Sequence, residues 1–436
     1  MTIASEITRL QWAKADIKTA IEWKWVTVPS SAKIDSYDDY IDAIQSWGWW
    51  WDIYTTWSTF TVTYAETSSP AFSPTYSDDA AWLTAGSPEF DAFFWYSAVR
   101  LNEDWKETAE VLQWKAWTLD ITKLWTLTSW DNVMIKFPVR WIKMTKSWTT
   151  VTLSITSELN KTWYQYYAFN RNWIIKPYLY LWAYKSARIT DWNLKKLKSW
   201  SWQWAATSDS TDWISYISLS DTTTWARAMA HNNDWWTWIW WYDEITWYAR
   251  NYINALYMMK YCNWDWQTTI WRWYVDSNSA AIATWWTNQY KNATWWETTW
   301  KYQMKLFWLE DRWWNVYEWL DWAFYTSTTN INVSSTNILT NTSWSTSSAP
   351  FDTNITIWSS WNYLKYAVWT NEWMFAPTDR SWSNSTYYCD SFGAGSGGGL
   401  RAGGNWGVDS GAGPFFVGST GVSYAGSSYG ARLMFL

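Results

Sequence analysis

Two cysteines, Cys262 and Cys389, one histidine, His231, and two adjacent carboxylate pairs, Asp243-Glu244 and Glu310-Asp311, are the side chains whose types could do chemistry. A zinc centre needs three or four His, Cys or carboxylate ligands at characteristic spacings. One histidine and two distant cysteines do not supply them, and the chain shows no calcium loop, so neither metal nor cofactor is expected. Thiolate chemistry needs a neighbour that activates the thiol. Cys389 instead lies between Tyr388 and Asp390, whose carboxylate opposes ionisation. The two thiols either pair across a long loop or stay free and buried, and the second is the plainer reading. Glycosidic cleavage requires two carboxyl groups placed on opposite sides of the scissile bond, whereas neighbours in sequence more often serve as solvated turn residues. His231 precedes Asn232-Asn233-Asp234 and reads as an exposed loop residue. No catalytic residue is expected.

The elements that would position such residues change along the chain. Ile3, Ile7, Leu10, Ile17 and Ile21 keep heptad-like spacing interrupted at Lys14, which predicts a helix that is either a short coiled coil or packed on its own domain. Residues 58–157 hold short runs rich in Thr, Val, Tyr and Phe and read as mostly β. Beyond Lys161 the pattern is mixed: Ile245, Tyr248, Ala249, Tyr252, Ile253 and Leu256 share a helical face, and residues 177–184 and 302–309 read as strands. The Ser/Thr/Asn-rich stretch 326–348 reads as a long loop or a β-edge decoration.

Composition then contradicts any ordinary fold. The 436 residues include 53 tryptophans and 16 glycines. All but two of the glycines, Gly48 and Gly86, lie between Gly393 and Gly430, a stretch with the single tryptophan Trp406. At the usual frequency of about 7%, the preceding residues should hold roughly 27 glycines. Tryptophan stands where turns want glycine: Ser147-Trp148 separates two alternating runs, and Asn172-Trp173 and Asp191-Trp192 occupy Asn-Gly and Asp-Gly sites. We therefore read most tryptophans before residue 393 as glycines of a gene in which UGA specifies glycine, with UGG expected at Trp313, Trp319 and Trp406. The literal alternative is an aromatic-rich membrane or carbohydrate-binding protein. Interfacial belts such as residues 235–241 would need an apolar span of about 18 residues beside them, and the sequence has none. On this reading Ser46-Trp47-Gly48-Trp49-Trp50-Trp51 is a glycine linker.

With glycine restored, residues 311–322 become DRWGNVYEWLDG, and residues 400–436 contain LRAGGNWG and close on YGARLMFL. These segments resemble the formylglycine-generating-enzyme-like branch of the C-type lectin fold, with a GNVxEW segment, a distant RxGGxW segment and a terminal GxRL strand. The resemblance assigns scaffold roles to Asn315, Glu318, Trp319, Gly403, Gly404, Asn405, Trp406 and Arg432, with Trp319 and Trp406 as core residues. The oxidase of that family acts through cysteines after RxGGxW, and this chain has none beyond Cys389. The opening MTIASEITRLQ and restored segments such as YYAFNRNG and KPYLYLGAYK also resemble tail-fibre and receptor-binding proteins of tailed bacteriophages.

What these resemblances imply is an α+β protein. Residues 1–46 would form a helical virion-attachment and trimerisation segment, 47–57 a linker, 58–157 a β-rich domain and 158–436 a C-type-lectin-like receptor-binding domain. Between the scaffold motifs, small residues alternate with Tyr and Phe, as in adaptable recognition surfaces, and the expected ligand-binding residues are Val408, Asp409, Phe415, Thr420, Val422, Tyr424 and Tyr429. The same stretch is similar to the variable regions of diversity-generating retroelement targets. The expected partners are a host-cell surface glycan or protein, other tail proteins and two further copies of the chain; the expected location is the virion. A net charge of −6 without a basic stripe argues against nucleic acid and anionic membrane, and residues 1–10 lack the pattern of a signal peptide. The alternative functions are a structural fibre without receptor contact, or an enzyme of the formylglycine-generating or glycan-cleaving type.

Overall fold

The computed structural model describes residues 58–67, 73–101, 107–110, 112–113, 118–119, 132–171, 173–185, 187–191, 194–199, 242–270, 304–327, 330–334, 353–356, 362–372, 374–381, 388–393, 398–408, 411–424, 426 and 428–436. The expected N-terminal helix and linker, His231 and Asp409 lie outside them. Thr59–Leu436 forms one compact unit. It is mostly β-sheet with few helices.

A four-stranded antiparallel sheet runs in the order Thr75–Asp78, Thr59–Ala65, Thr150–Thr156, Trp141–Ser147. Its period-two pattern explains the pairing. Phe60, Val62 and Tyr64 face Ile155, Leu153 and Val151 across the ladder, and all six are buried. On the other face Thr61 and Ser154 bond through their hydroxyls at 2.8 Å, and Thr59 donates to Thr156 at 2.9 Å. A one-residue slip would exchange these two sets.

The six-stranded sheet corrects the expected boundary at residue 158. Its order is Tyr242–Glu244, Leu433–Phe435, Tyr178–Trp182, Asn132–Pro138, Ser97–Leu101, Glu107–Glu110. Strands from both sides of residue 158 are thus hydrogen-bonded neighbours, with Leu179 opposite Phe137 and Leu181 opposite Ile135. Residues 58–157 are not a separate β domain, because their apolar strand edges are completed only by later parts of the chain.

The largest sheet carries the C-terminal region. Its order is Thr353–Thr356, Asn330–Val333, Tyr317–Ser327, Gly398–Gly403, Gly413–Thr420, Ser391–Gly393, Asn362–Val368, Ala376–Ser381, with Tyr429–Gly430 added parallel to Tyr317–Ser327. Of the stretch 326–348, read as a long loop or a β-edge decoration, the described residues include the strand Asn330–Val333, next to the edge of this sheet. The expected strand 302–309 is instead a hairpin of Lys305–Leu306 and Leu309–Glu310.

Of the expected helical face, Tyr248, Ala249, Tyr252, Ile253 and Leu256 lie in the helix Trp247–Tyr261, whereas Ile245 precedes it. This helix begins at Thr246, whose hydroxyl accepts the Ala249 N–H at 3.2 Å, and ends at Cys262 in the left-handed conformation. It is buried on every face through Lys260, which is why its sequence is not cleanly amphipathic. Thr246→Ala is expected to lower the unfolding free energy by about 1 kcal/mol, the usual cost of an N-cap, measured by urea denaturation.

Candidate functional site

The site is built upward from the helix Trp247–Tyr261. Arg250 donates through Nη2 to the carbonyls of Pro414 and Phe416, the latter at 2.7 Å, and Asn254 donates to Pro414 at 2.8 Å. Asp390 accepts the Phe415 N–H at 2.6 Å and the Trp266 indole at 2.5 Å. Side chains thereby fix the strand Gly413–Thr420 against the core beneath it.

The motif residues, separated by more than a hundred positions, meet around Glu318. One carboxylate oxygen of Glu318 accepts from Arg432 Nε at 2.7 Å and Lys185 Nζ at 3.0 Å, and the other accepts from Arg312. Arg432 also donates to the carbonyls of Glu310, at 2.5 Å, and Trp182. All four ionisable side chains are buried. Burial pushes the Glu318 carboxyl up, but Lys185, Arg312 and Arg432 outweigh it and hold it at about 2. Burial also pulls Lys185 down to about 8 against the attraction of Glu318.

Backbone contacts complete the assembly. Trp406 N–H donates to the Asn315 carbonyl at 3.1 Å, and Trp314 N–H donates to the Gly403 carbonyl at 3.2 Å. Glu318 pairs with Ala402 on one side and Gly430 on the other. Gly403 and Gly404 have φ of +83° and +81°, and a Cβ on Gly404 would lie 2.4 Å from that of Ala412, so both need glycine. Asn315 donates to Asp311 at 2.7 Å, and Asn405 accepts the Gly407 N–H at 3.1 Å. Trp319 is fully buried, whereas Trp406 is only partly buried and packs on Val316. Its expected place as an enclosed core residue is corrected accordingly.

Over this scaffold lies an aromatic cluster of Tyr317, Trp319, Phe416 and Tyr429, with Val408 and Val422 packed against it. The Arg401 guanidinium stands 4.1 Å from the Tyr317 ring centre and 5.2 Å from that of Tyr429. Arg401 also donates to the Tyr429 hydroxyl. Tyr424 sits edge-on to Tyr429 at 5.0 Å and is 51% exposed. Burial raises the Tyr317 phenol to about 12, so it remains a neutral hydrogen-bonding group at ordinary pH.

The expected binding residues therefore separate. Tyr424 is exposed, Thr420 and Val422 are at least partly accessible, and Val408 is half-buried at the cluster edge. Phe415 is corrected to a core residue. It is fully buried among Phe375, Tyr388, Trp264 and Tyr257, because its strand is covered on both faces and Phe416 on the opposite face is enclosed as well. Tyr429 is likewise enclosed, being 5% exposed, and supports Tyr424 from beneath. Arg401 and Tyr317 were not anticipated. Arg401 is nonetheless the first residue of the RxGGxW segment, and Tyr317 fills the open position of GNVxEW.

Cys262 and Cys389 are free and buried, and burial pushes both thiols up. Glu310 and Asp311 are buried in the scaffold, with Lys305 3.7 Å from Glu310. Among the described residues no group of three or more His, Cys, Asp or Glu side chains could hold a metal ion, and no helix is long and apolar enough to cross a membrane. No family model and no curated protein sequence matches the chain.

Proposed function

We propose that this chain is a tail-associated receptor-binding protein of a tailed bacteriophage, and that it recognises a host-cell surface ligand, without catalysis, through a C-terminal C-type-lectin-like region. The observation that carries this reading is the meeting of three distant motifs at Glu318, Arg432 and Gly403 beneath a surface bearing Tyr424. A scaffold held by buried ion pairs and two left-handed glycines leaves exposed positions such as Ser423 and Tyr424 free to vary without loss of the fold. Such a division between fixed frame and changeable surface suits recognition. Tyr424, Val422 and Thr420 form the contacting edge; Tyr429, Tyr317 and Arg401 hold it in place. The N-terminal segment serves virion attachment and trimerisation.

Exposed aromatic anchors commonly cost about 2 kcal/mol on truncation, about thirtyfold in affinity at 1.4 kcal/mol per decade. Tyr424→Ala is expected to weaken adsorption to host cells by about that factor while the melting temperature stays within about 2 °C of the parent. Adsorption equal to that of the parent would remove Tyr424 from the site and transfer the search to the edge strands near Asn330–Val333.

A further inference from the structure

Six of the thirteen non-glycine residues with positive φ among the described residues are tryptophans: Trp95, Trp148, Trp163, Trp173, Trp308 and Trp314. Positive φ is a rare state for a bulky side chain, costing an L-residue the clash of Cβ with its own backbone. Asparagine and aspartate tolerate it best. A type as large as tryptophan has no physical reason to dominate this set.

Five of the six positions also have a turn geometry that favours glycine for a separate reason. Trp95 caps the helix Glu89–Phe94 at φ 47° and ψ 47°, its N–H bonding the Asp91 carbonyl, the left-handed helix end that glycine ordinarily occupies. Trp148 is the first residue of the two-residue loop closed by Ser147 opposite Thr150, with φ 56°, where a type II′ hairpin takes glycine. Trp163 has φ 71° as the third residue of a turn in which Tyr164 N–H bonds the Lys161 carbonyl, the glycine site of a type II turn.

Hairpins account for two more. Trp173 has φ 67° and closes the loop between Arg171 and Ile174, directly after Asn172. Phe307 and Trp308 have φ of 50° and 65° between the paired Leu306 and Leu309, as a type I′ turn demands. Trp314 has φ 78° and lies where the chain passes the Gly403 backbone. The four glycines found at positive φ, Gly86, Gly398, Gly403 and Gly404, show the same backbone satisfied by its usual residue.

We propose that positions 95, 148, 163, 173, 308 and 314 are glycine in the natural protein, whereas Trp264 and Trp319 are tryptophan. Trp264 and Trp319 have ordinary φ and are fully buried. Trp264 packs on Tyr64, Trp369, Tyr388 and Phe415 with ring centres 4.1 to 5.3 Å apart, and Trp319 packs on Tyr429 at 5.1 Å. Trp95, Trp148, Trp163 and Trp173 are 54%, 95%, 77% and 71% exposed, and they would otherwise resemble a set of aromatic sugar-binding platforms. With glycine in their places, the large exposed aromatics among the described residues reduce to Trp82, Tyr178 and Tyr424.

The test reads the codon at each position in the gene and the residue in peptides of the protein isolated from its natural source by mass spectrometry. UGA codons with glycine-containing peptides at the six positions, and UGG with tryptophan at 264 and 319, are the expected result. UGG at Trp314 or at two or more of the other five overturns the assignment, as does glycine at position 264 or 319. A stability measurement gives an independent arm. Trp148→Gly and Trp163→Gly should each raise the melting temperature of the chain as written by about 1 to 2 °C, since left-handed strain is relieved and no packing is lost. A fall in both variants would contradict the strain argument even with UGA at those codons.

Discussion

Glu318→Gln is expected to lower the unfolding free energy by about 3 to 5 kcal/mol, because it removes the charge of a carboxylate that contacts three buried cations. Lys185, Arg312 and Arg432 all contact that carboxylate and have no exposure through which water could replace it. The loss has a defined dependence on pH. Glu318 has its carboxyl lowered from 4.5 in the unfolded chain to about 2 in the folded protein, burial being outweighed by the three cations. A depressed carboxyl contributes stability that is present above 4.5 and disappears as the pH falls through about 2, at roughly 1.4 kcal/mol for each tenfold change in the proton affinity of the carboxyl. The difference between parent and Glu318→Gln should therefore be constant above about pH 5 and shrink as pH falls from about 4.5 toward 2, since the protonated parent comes to resemble the neutral variant. Guanidinium denaturation at several pH values measures this. A difference that stays constant down to pH 2 would mean the charge of Glu318 does not hold the scaffold together.

Trp319→Ala is expected to cost about 3 to 5 kcal/mol, the range for deleting a large enclosed side chain. Trp319 is fully buried, and its ring lies 5.1 Å from that of Tyr429, which in turn supports Tyr424. The void would open beneath Tyr424, the contact residue of the proposed recognition edge, so on that proposal host-cell adsorption should fall together with stability. Trp406→Ala provides the contrast. The side chain of Trp406 is only partly buried, with Val316 as its buried apolar neighbour, and the expected cost is smaller, about 1 to 2 kcal/mol by the area it hides. Thermal and chemical denaturation of both variants separates the two. Equal losses would place Trp406 in the core after all.

Local features are where reading the sequence succeeded. The runs around Val133 and Val151 became the strands Asn132–Pro138 and Thr150–Thr156, and Trp148 and Trp173 lie between paired strands. The helix Trp247–Tyr261 appeared on the expected residues. Local periodicity and turn chemistry act over a few residues, so one sequence suffices to see them. The tryptophan and glycine distribution was legible for the same reason, since turn positions such as Trp148 and Trp173 ask for glycine through their immediate neighbours in sequence alone.

The sequence by itself determined the β-rich character of the middle, the position of the main helix, the turns that require glycine and the motifs at Asn315, Glu318, Gly403 and Arg432. Only the tertiary structure decided that Asn132–Pro138 and Tyr178–Trp182 share one sheet, so that no boundary separates them. It also decided that Phe415 and Tyr429 point inward while Tyr424 alone of the three stands exposed. Lys185 and Arg312 became partners of Glu318 by the same route. The physical reason is that burial and ion pairing depend on which distant segments fold onto a residue. A tyrosine flanked by small residues carries no mark of the Arg401 and Trp319 side chains that enclose it, and a lysine carries none of the carboxylate it will meet.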